Sequence, residues 1–187
     1  KALVMVGNKN HKTVAVAKGT ETINANAFDI AKGVSAITFP ASLKAVKGNA
    51  LDVTAWFTAQ NGEIYAGPVL YKVKGDVAEV NVKAGTIAIA DRAISNPAVK
   101  KVTLPASLVT IGAEAFAKSA ITSIVIPNSV KEIGAYAFNH GYQAFALDSV
   151  LCYTTTPPIV DSTTFHDISL YVPCEVVSDY ETHPIWG

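Results

Sequence analysis

Apolar residues in this chain recur at fixed offsets from a proline. Ile37 and Phe39, Val102 and Leu104, and Ile124 and Ile126 stand three and one residues before Pro40, Pro105 and Pro127. Leu43 and Val46, Leu108 and Ile111, and Val130 and Ile133 stand three and six residues after them. Ala50-Leu51, Ala115-Phe116 and Ala137-Phe138 complete the three units. Pro105 and Pro127 are 22 residues apart, and self-similarity at such a period marks a stack of coils. Counting back 22 residues from Pro105 puts Lys83 at position zero, with Val80, Val82, Ile89, Ala93 and Ile94 in register. Ala17 anchors a further unit through Val14, Val16, Ile23, Ala27 and Phe28.

Each unit predicts a small set of elements. Alternation before position zero predicts a short strand with one face inward, and proline ends it because it has no N–H to give the ladder. The residues at plus three and plus six predict a second inward-facing stretch on the opposite side. Gly112 and Gly134 follow the plus-six isoleucine, where glycine would let the chain turn. The segments Ala113 to Phe116 and Ala135 to Phe138 are expected to form one helical turn each. In them the alanine permits close approach, and Phe116 and Phe138 stack in the core rather than on a ligand.

The spacing breaks in two places. From Pro40 to Lys83 is 43 residues, and residues 54–75 predict an inserted hairpin, with Asn61-Gly62 as a tight turn and a second turn near Gly67-Pro68. Residues 150–187 read as an atypical closing unit, as an open repeat end requires. Residues 1–12 read as an N-terminal cap turning at Gly7-Asn8. The whole is predicted to be one domain, an α/β repeat solenoid. Seven or eight coils at about 4.8 Å would give a right-handed body on the order of 35 to 40 Å long, with a parallel sheet along one side.

Composition narrows the partners. Fifteen basic and fifteen acidic residues cancel, which removes the electrostatic reason to expect nucleic acid or an anionic membrane. No apolar run reaches the roughly 18 residues needed to span a bilayer. The chain starts at Lys1 without a signal-type segment, which reads as a trimmed piece of a longer precursor. Two cysteines make no disulfide framework. Stacking the strands around Leu151 and Tyr171 sets Cys152 opposite Tyr171 rather than Cys174, so free thiols are expected.

The pattern from Ile124 to Phe138, Ile-x-Ile-Pro-x-Ser-Val-x-x-Ile-Gly-x-x-Ala-Phe, resembles the BspA-like leucine-rich repeats of bacterial surface proteins. The Asn61-Gly62-Glu63-Ile64-Tyr65 segment and the ending with Cys152, Pro157-Pro158, Phe165, Pro173, Tyr180 and Trp186 are similar to that family as well. The chain departs from it where Ser119 and Gly141 replace the cysteine or asparagine that often follows the phenylalanine. The resemblance implies an exported or outer-surface protein of host-associated anaerobic bacteria that acts by adhesion or protein binding; the sequence leaves open whether a lipid anchor is carried by a segment outside this chain. It implies no catalytic residues.

Catalytic chemistry is not legible either. His11, His140, His166 and His183 do not make a zinc-protease spacing. His166-Asp167 beside a cysteine lacks an orienting third group, the carboxylates are scattered, and neither a metal nor a cofactor is expected. What remains is the surface. Thr38, Asn81, Thr103 and Val125 stand two residues before position zero, and Ala36, Glu79, Lys101 and Ser123 four before it. These columns hold neither a repeated aromatic nor a single charge sign, which favours a protein ligand over a sugar ladder; an ordinary solvated sheet face is the competing reading. Lys101, Thr103, Ser123 and Val125, where two well-formed units adjoin, are the first candidate contact residues. Trp56, Tyr65 and Tyr71 of the hairpin are the second, on condition that their rings are exposed rather than plugging a joint. The function expected is a non-catalytic surface binding or adhesion module for a protein or surface glycan. A structural spacer or an accessory subunit of a glycan-uptake system is the alternative.

Overall fold

The computed structural model describes residues 1–3, 11–138, 147–165 and 168–186; the predicted turn at Gly7-Asn8 lies outside them, as do His140, Gly141, His166 and Asp167. The chain winds as a parallel-strand solenoid of about 7 turns with few helices. Its strands are β1 (Ala2–Leu3), β2 (Thr13–Ala15), β3 (Thr22–Ile23), β4 (Ala36–Thr38) and β5 (Ala45–Val46). Next come β6 (Gly62–Ala66), β7 (Val69–Lys74), β8 (Glu79–Asn81), β9 (Ala88–Ile89) and β10 (Lys101–Thr103). The last five are β11 (Thr110–Ile111), β12 (Ser123–Ile126), β13 (Glu132–Ile133), β14 (Ser149–Cys152) and β15 (Ser169–Tyr171).

Both stretches of the repeat form ladders, so the parallel sheet expected along one side has a counterpart on the other. The strands before position zero give β2-β4, β8-β10 and β12-β14-β15, and those after it give β1-β3-β5 and β13-β11-β9-β7-β6. Side chains alternate as the pattern requires. Val80, Val102 and Ile124 point inward and are buried, as are Val46, Ile89, Ile111 and Ile133 from the other side. Down the axis run Phe28, Leu51, Ile94, Phe116 and Phe138, none more than 3% exposed. Phe116 and Phe138 stack at 4.9 Å with 3° between their planes. The column continues through Phe165 and Trp186 at 5.3 and 4.9 Å.

The turn after the second strand is not helical. Arg92, Glu114 and Tyr136, nine residues after position zero in successive coils, all have φ between 54° and 56°, a left-handed conformation that no α-helix tolerates. Each coil is tied to the next there: the N–H groups of Arg92 and Glu114 donate to the carbonyls of Ala113 and Ala135 at 2.9 and 3.0 Å. Arg92 and Glu114 add a two-bond ion pair at 2.6 and 2.9 Å. The glycines two residues earlier serve stacking rather than turning. Gly112 and Gly134 lack positive φ, and a Cβ on them would lie 2.6 Å from the backbone nitrogens of Asp91 and Ala113 in the preceding coil.

The hairpin also differs from its sequence reading. Thr54 caps a helical turn, α1 (Ala55–Thr58), by accepting from the Phe57 N–H, so the residues before Asn61 are not a strand. Asn61-Gly62 joins α1 to β6, and the hairpin turns at Gly67-Pro68 between β6 and β7. Its second strand belongs to the stack: Val69 and Leu70 pair in parallel with Ala88 and Ile89, taking the place of a repeat strand. At the far end the register sets Leu151 against Tyr171, one residue from the expected alignment. Cys152 is buried and Cys174 exposed, both free. A short helix, α2 (Val177–Glu181), brings Tyr180 onto the core.

Candidate partner-binding face

The outward positions of the first-side strands line up in rows. Ser123, Ser149 and Ser169 are paired across β12, β14 and β15, and two residues on the same strands pair Val125, Leu151 and Tyr171. With strands about 4.8 Å apart, this sets an apolar row about 10 Å long beside a row of three hydroxyl residues. Val125 is 46% exposed and Tyr171 58%. Tyr153, just past the end of β14, is 51% exposed and lies at the same end of the face. The side chains cannot turn inward, because their neighbours Ile124, Val150 and Cys152 already fill the core and a strand alternates faces.

Beside this row the ladder is interrupted. β10 pairs with β8 and β12 with β14, but β10 and β12 belong to separate sheets. The coils are tied elsewhere: Lys131 N–H donates to the Val109 carbonyl and Phe116 N–H to the Ala137 carbonyl, each at 2.8 Å. A column of serines stands two residues after each proline. Ser42 and Ser107 each donate to a carbonyl of the preceding coil at 2.8 Å, and each accepts from an N–H there at 3.1 Å. Ser129, the next member, has a buried hydroxyl with no hydrogen-bond partner. The parted strands leave a groove of about 440 Å3, lined by Lys101, Thr103, Ser123 and Val125, with Leu104, Pro127 and Tyr153.

The four strand residues singled out in the sequence are therefore brought together around one groove. What sequence reasoning missed is Leu151, Tyr153 and Tyr171. They lie in the closing region where the proline frame fades, although Leu151 and Tyr171 continue the column of Thr103 and Val125 once the register is known. Among the described residues the only charge lining the groove is Lys101, whose ammonium lies 3.7 Å from Glu79 across an exposed pair, a contact worth little in water.

The hairpin aromatics have other duties. Tyr71, named as a contact residue, is fully buried and is corrected to a core residue. Its hydroxyl donates to Asp52 Oδ1 and accepts from the Leu51 N–H at 3.0 Å, while its ring meets Phe57 edge-on at 5.5 Å. Burial, and then the bond to Asp52, push its pKa well above that of a free tyrosine. Trp56 is half-buried against Phe39, with ring centroids 5.3 Å apart. Tyr65, also half-buried, donates to Glu63 at 2.7 Å and accepts from the Lys83 N–H at 3.0 Å. These rings seal the joint where the ladders on both sides are broken.

A second hollow of about 330 Å3 lies on the opposite side between β5, β9 and β11, floored by Ala88, Ala90 and Gly112. The Asp91 carboxylate beside it is already occupied, accepting from the N–H groups of Gly48 and Ala113 at 3.2 and 3.1 Å. Among the described residues no group of three or more histidine, cysteine, aspartate or glutamate side chains is placed to hold a metal. His183 Nδ1 accepts from the N–H groups of Ile185 and Trp186 at 3.2 and 3.4 Å.

This repeat geometry agrees with comparison to known proteins. Residues 6–58 and 68–156 match the BspA type leucine-rich repeat region, in 6 copies. The chain belongs to this family. The unmatched residues between those spans contain β6 and the Gly67 turn, the part of the BspA-type chain that is foreign to the repeat. No curated protein matches it. Among solved structures it is similar to a leucine rich cell surface protein of Faecalibacterium prausnitzii A2-165, with TM-score 0.44 and 13% identity, covering 92% of this chain and 62% of that one. It is similar also to a leucine-rich repeat protein of Bacteroides ovatus ATCC 8483, with TM-score 0.36 and 15% identity, covering 90% and 62%. The chain thus spans 62% of the length of each. Among the described residues no helix is long and apolar enough to cross a membrane.

Proposed function

We propose that this chain is a non-catalytic binding module, displayed on a bacterial cell surface, that docks a protein partner on the outer face of β10, β12, β14 and β15. The observation that carries the reading is the aligned row Val125–Leu151–Tyr171 with Tyr153 at its end. The row is exposed at Val125, Tyr153 and Tyr171 and half-buried at Leu151, and an apolar surface rimmed by polar residues has the character of a protein contact site. Tyrosine supplies contact area at low entropic cost, and serine supplies adaptable hydrogen bonds, the mixture that protein-recognising paratopes use. The resemblance of its repeats to those of bacterial surface proteins supports the location. A rigid stack supports the affinity, because little ordering is needed on binding.

The test is capture of immobilised host matrix proteins and glycans by the chain and by a Leu151→Ser, Tyr171→Ser double variant. Both positions face outward, so the variant should keep its circular dichroism spectrum and melting temperature. Its capture of a matrix protein should fall at least about tenfold, the effect of losing one hot-spot contact. A folded variant with unchanged capture would move the site elsewhere. Capture of nothing by the unaltered chain would favour the spacer.

A further inference from the structure

Resting on that reading, we infer that the groove between β10 and β12 is the anchor pocket of the face. It takes one bulky apolar side chain of a polypeptide partner, with an adjacent carboxylate placed against Lys101. Three observations converge there. The groove lies between two neighbouring strands that form no ladder with each other, and Ser129, on the coil that carries β12, has a buried hydroxyl without a hydrogen-bond partner among the described residues. Its volume, about 440 Å3, falls within the roughly 300–1,000 Å3 of ordinary ligand pockets. Its lining is mostly apolar, from Leu104, Val125, Pro127 and Tyr153, with Lys101, Thr103 and Ser123 as its polar members.

That lining, with its one cation, dictates the occupant. The apolar wall favours an aliphatic or aromatic side chain, since hot spots form where such anchors fill pockets closed off from water. The single charge on the rim is a cation. Its partner Glu79 sits on β8, on the opposite side of β10 from the groove. At 3.7 Å between exposed groups that pair leaves ammonium donors for a second carboxylate. A basic residue beside the anchor would instead meet Lys101 at close range without a counter-ion in the groove, and like-charge juxtaposition is a strong discriminator. A neutral sugar would use the tyrosine ring and the hydroxyls but leave Lys101 without a role.

An array of synthetic linear peptides, each with one Leu, Phe or Trp flanked by Asp, Asn or Lys, tests this directly. Peptides with the acidic neighbour should bind a few-fold (about two- to fivefold) more tightly than those with the basic one, the discrimination of an exposed rim charge. A Lys101→Glu variant should reverse that order, and a Thr103→Trp variant, which fills the groove from its rim, should abolish binding of both sets. Lys101→Gln should remove the charge preference while leaving apolar binding, which guards against a folding artefact. Absence of a charge preference, an order unmoved by Lys101→Glu, or binding of sugars without peptides would overturn the inference. If Leu151→Ser, Tyr171→Ser loses the matrix protein while Lys101→Glu and Thr103→Trp keep it, the anchor pocket fails and the binding face stands. If none of them matters, both fail.

Discussion

At the scale of single residues, the chain repeatedly uses one side chain to tie two coils together. Tyr71 is the strongest case. Its hydroxyl satisfies the buried Leu51 N–H and holds Asp52, so Tyr71→Phe leaves a buried donor without a partner. Such a loss costs about 1–3 kcal/mol, to be read from the urea midpoint at neutral pH. The pH dependence has a defined sign. Burial is the main cause of the raised pKa values of Tyr71, Tyr65 and Tyr180, so the folded state holds these protons more tightly than the unfolded one. The stability they contribute is complete below the unfolded value of about 10 and declines as pH rises above it. The urea midpoint should therefore fall above about pH 10, and Tyr71→Phe should flatten that fall. An equal fall in both proteins would assign the alkaline loss to other groups.

At the scale of the element, the coil is set by what its neighbour allows. Gly112 and Gly134 sit where the backbone of the preceding coil passes so close that a Cβ would lie 2.6 Å from it. The left-handed turn is then left to Arg92, Glu114 and Tyr136, which have side chains but room to point outward. Gly112→Ala and Gly134→Ala should each destabilise by about 1–3 kcal/mol, as overpacking does, measured by thermal or denaturant unfolding. Unchanged stability would mean that the coils part without strain. They do part between β10 and β12, where no ladder forms and a groove results. The hairpin shows the same principle in reverse, since β7 is accepted into the stack because Val69 and Leu70 match the register of Ala88 and Ile89.

At the scale of the molecule, a single apolar column runs from Phe28 through Phe116 and Phe138 to Phe165 and Trp186. The C-terminal end of that column is held by Trp186, whose Nε1–H donates to the Pro158 carbonyl at 2.9 Å, and by Tyr180 edge-on at 5.3 Å. Removing a ring from the middle opens a cavity that the flanking coils cannot close without moving apart. Phe138→Ala or Phe116→Ala should cost about 3–5 kcal/mol, checked by denaturant titration. A loss below about 1 kcal/mol would show that the stack collapses around the gap. Because the fifteen basic and fifteen acidic residues cancel, net charge supplies no long-range steering, and the proposed recognition would rest on the local chemistry of one face.

The repeat was legible in the sequence because each coil packs against its neighbour with the same few side chains. The offsets of Pro40, Pro105 and Pro127 to their apolar followers determined the coil, its two inward faces, the Phe116–Phe138 stack and the exposure of Lys101, Thr103, Ser123 and Val125. Periodicity carries that much, since it records which positions are buried. Contacts between coils that depart from the period were decided only by the tertiary structure. They include the entry of β7 into the stack beside β9 and the burial of Tyr71. The addition of Leu151, Tyr153 and Tyr171 to the candidate face is of the same kind. A strand's register in the closing region is fixed by the strand beside it, Leu151 by Val125 and Tyr171 by Leu151, and the apolar row exists only once those neighbours are aligned.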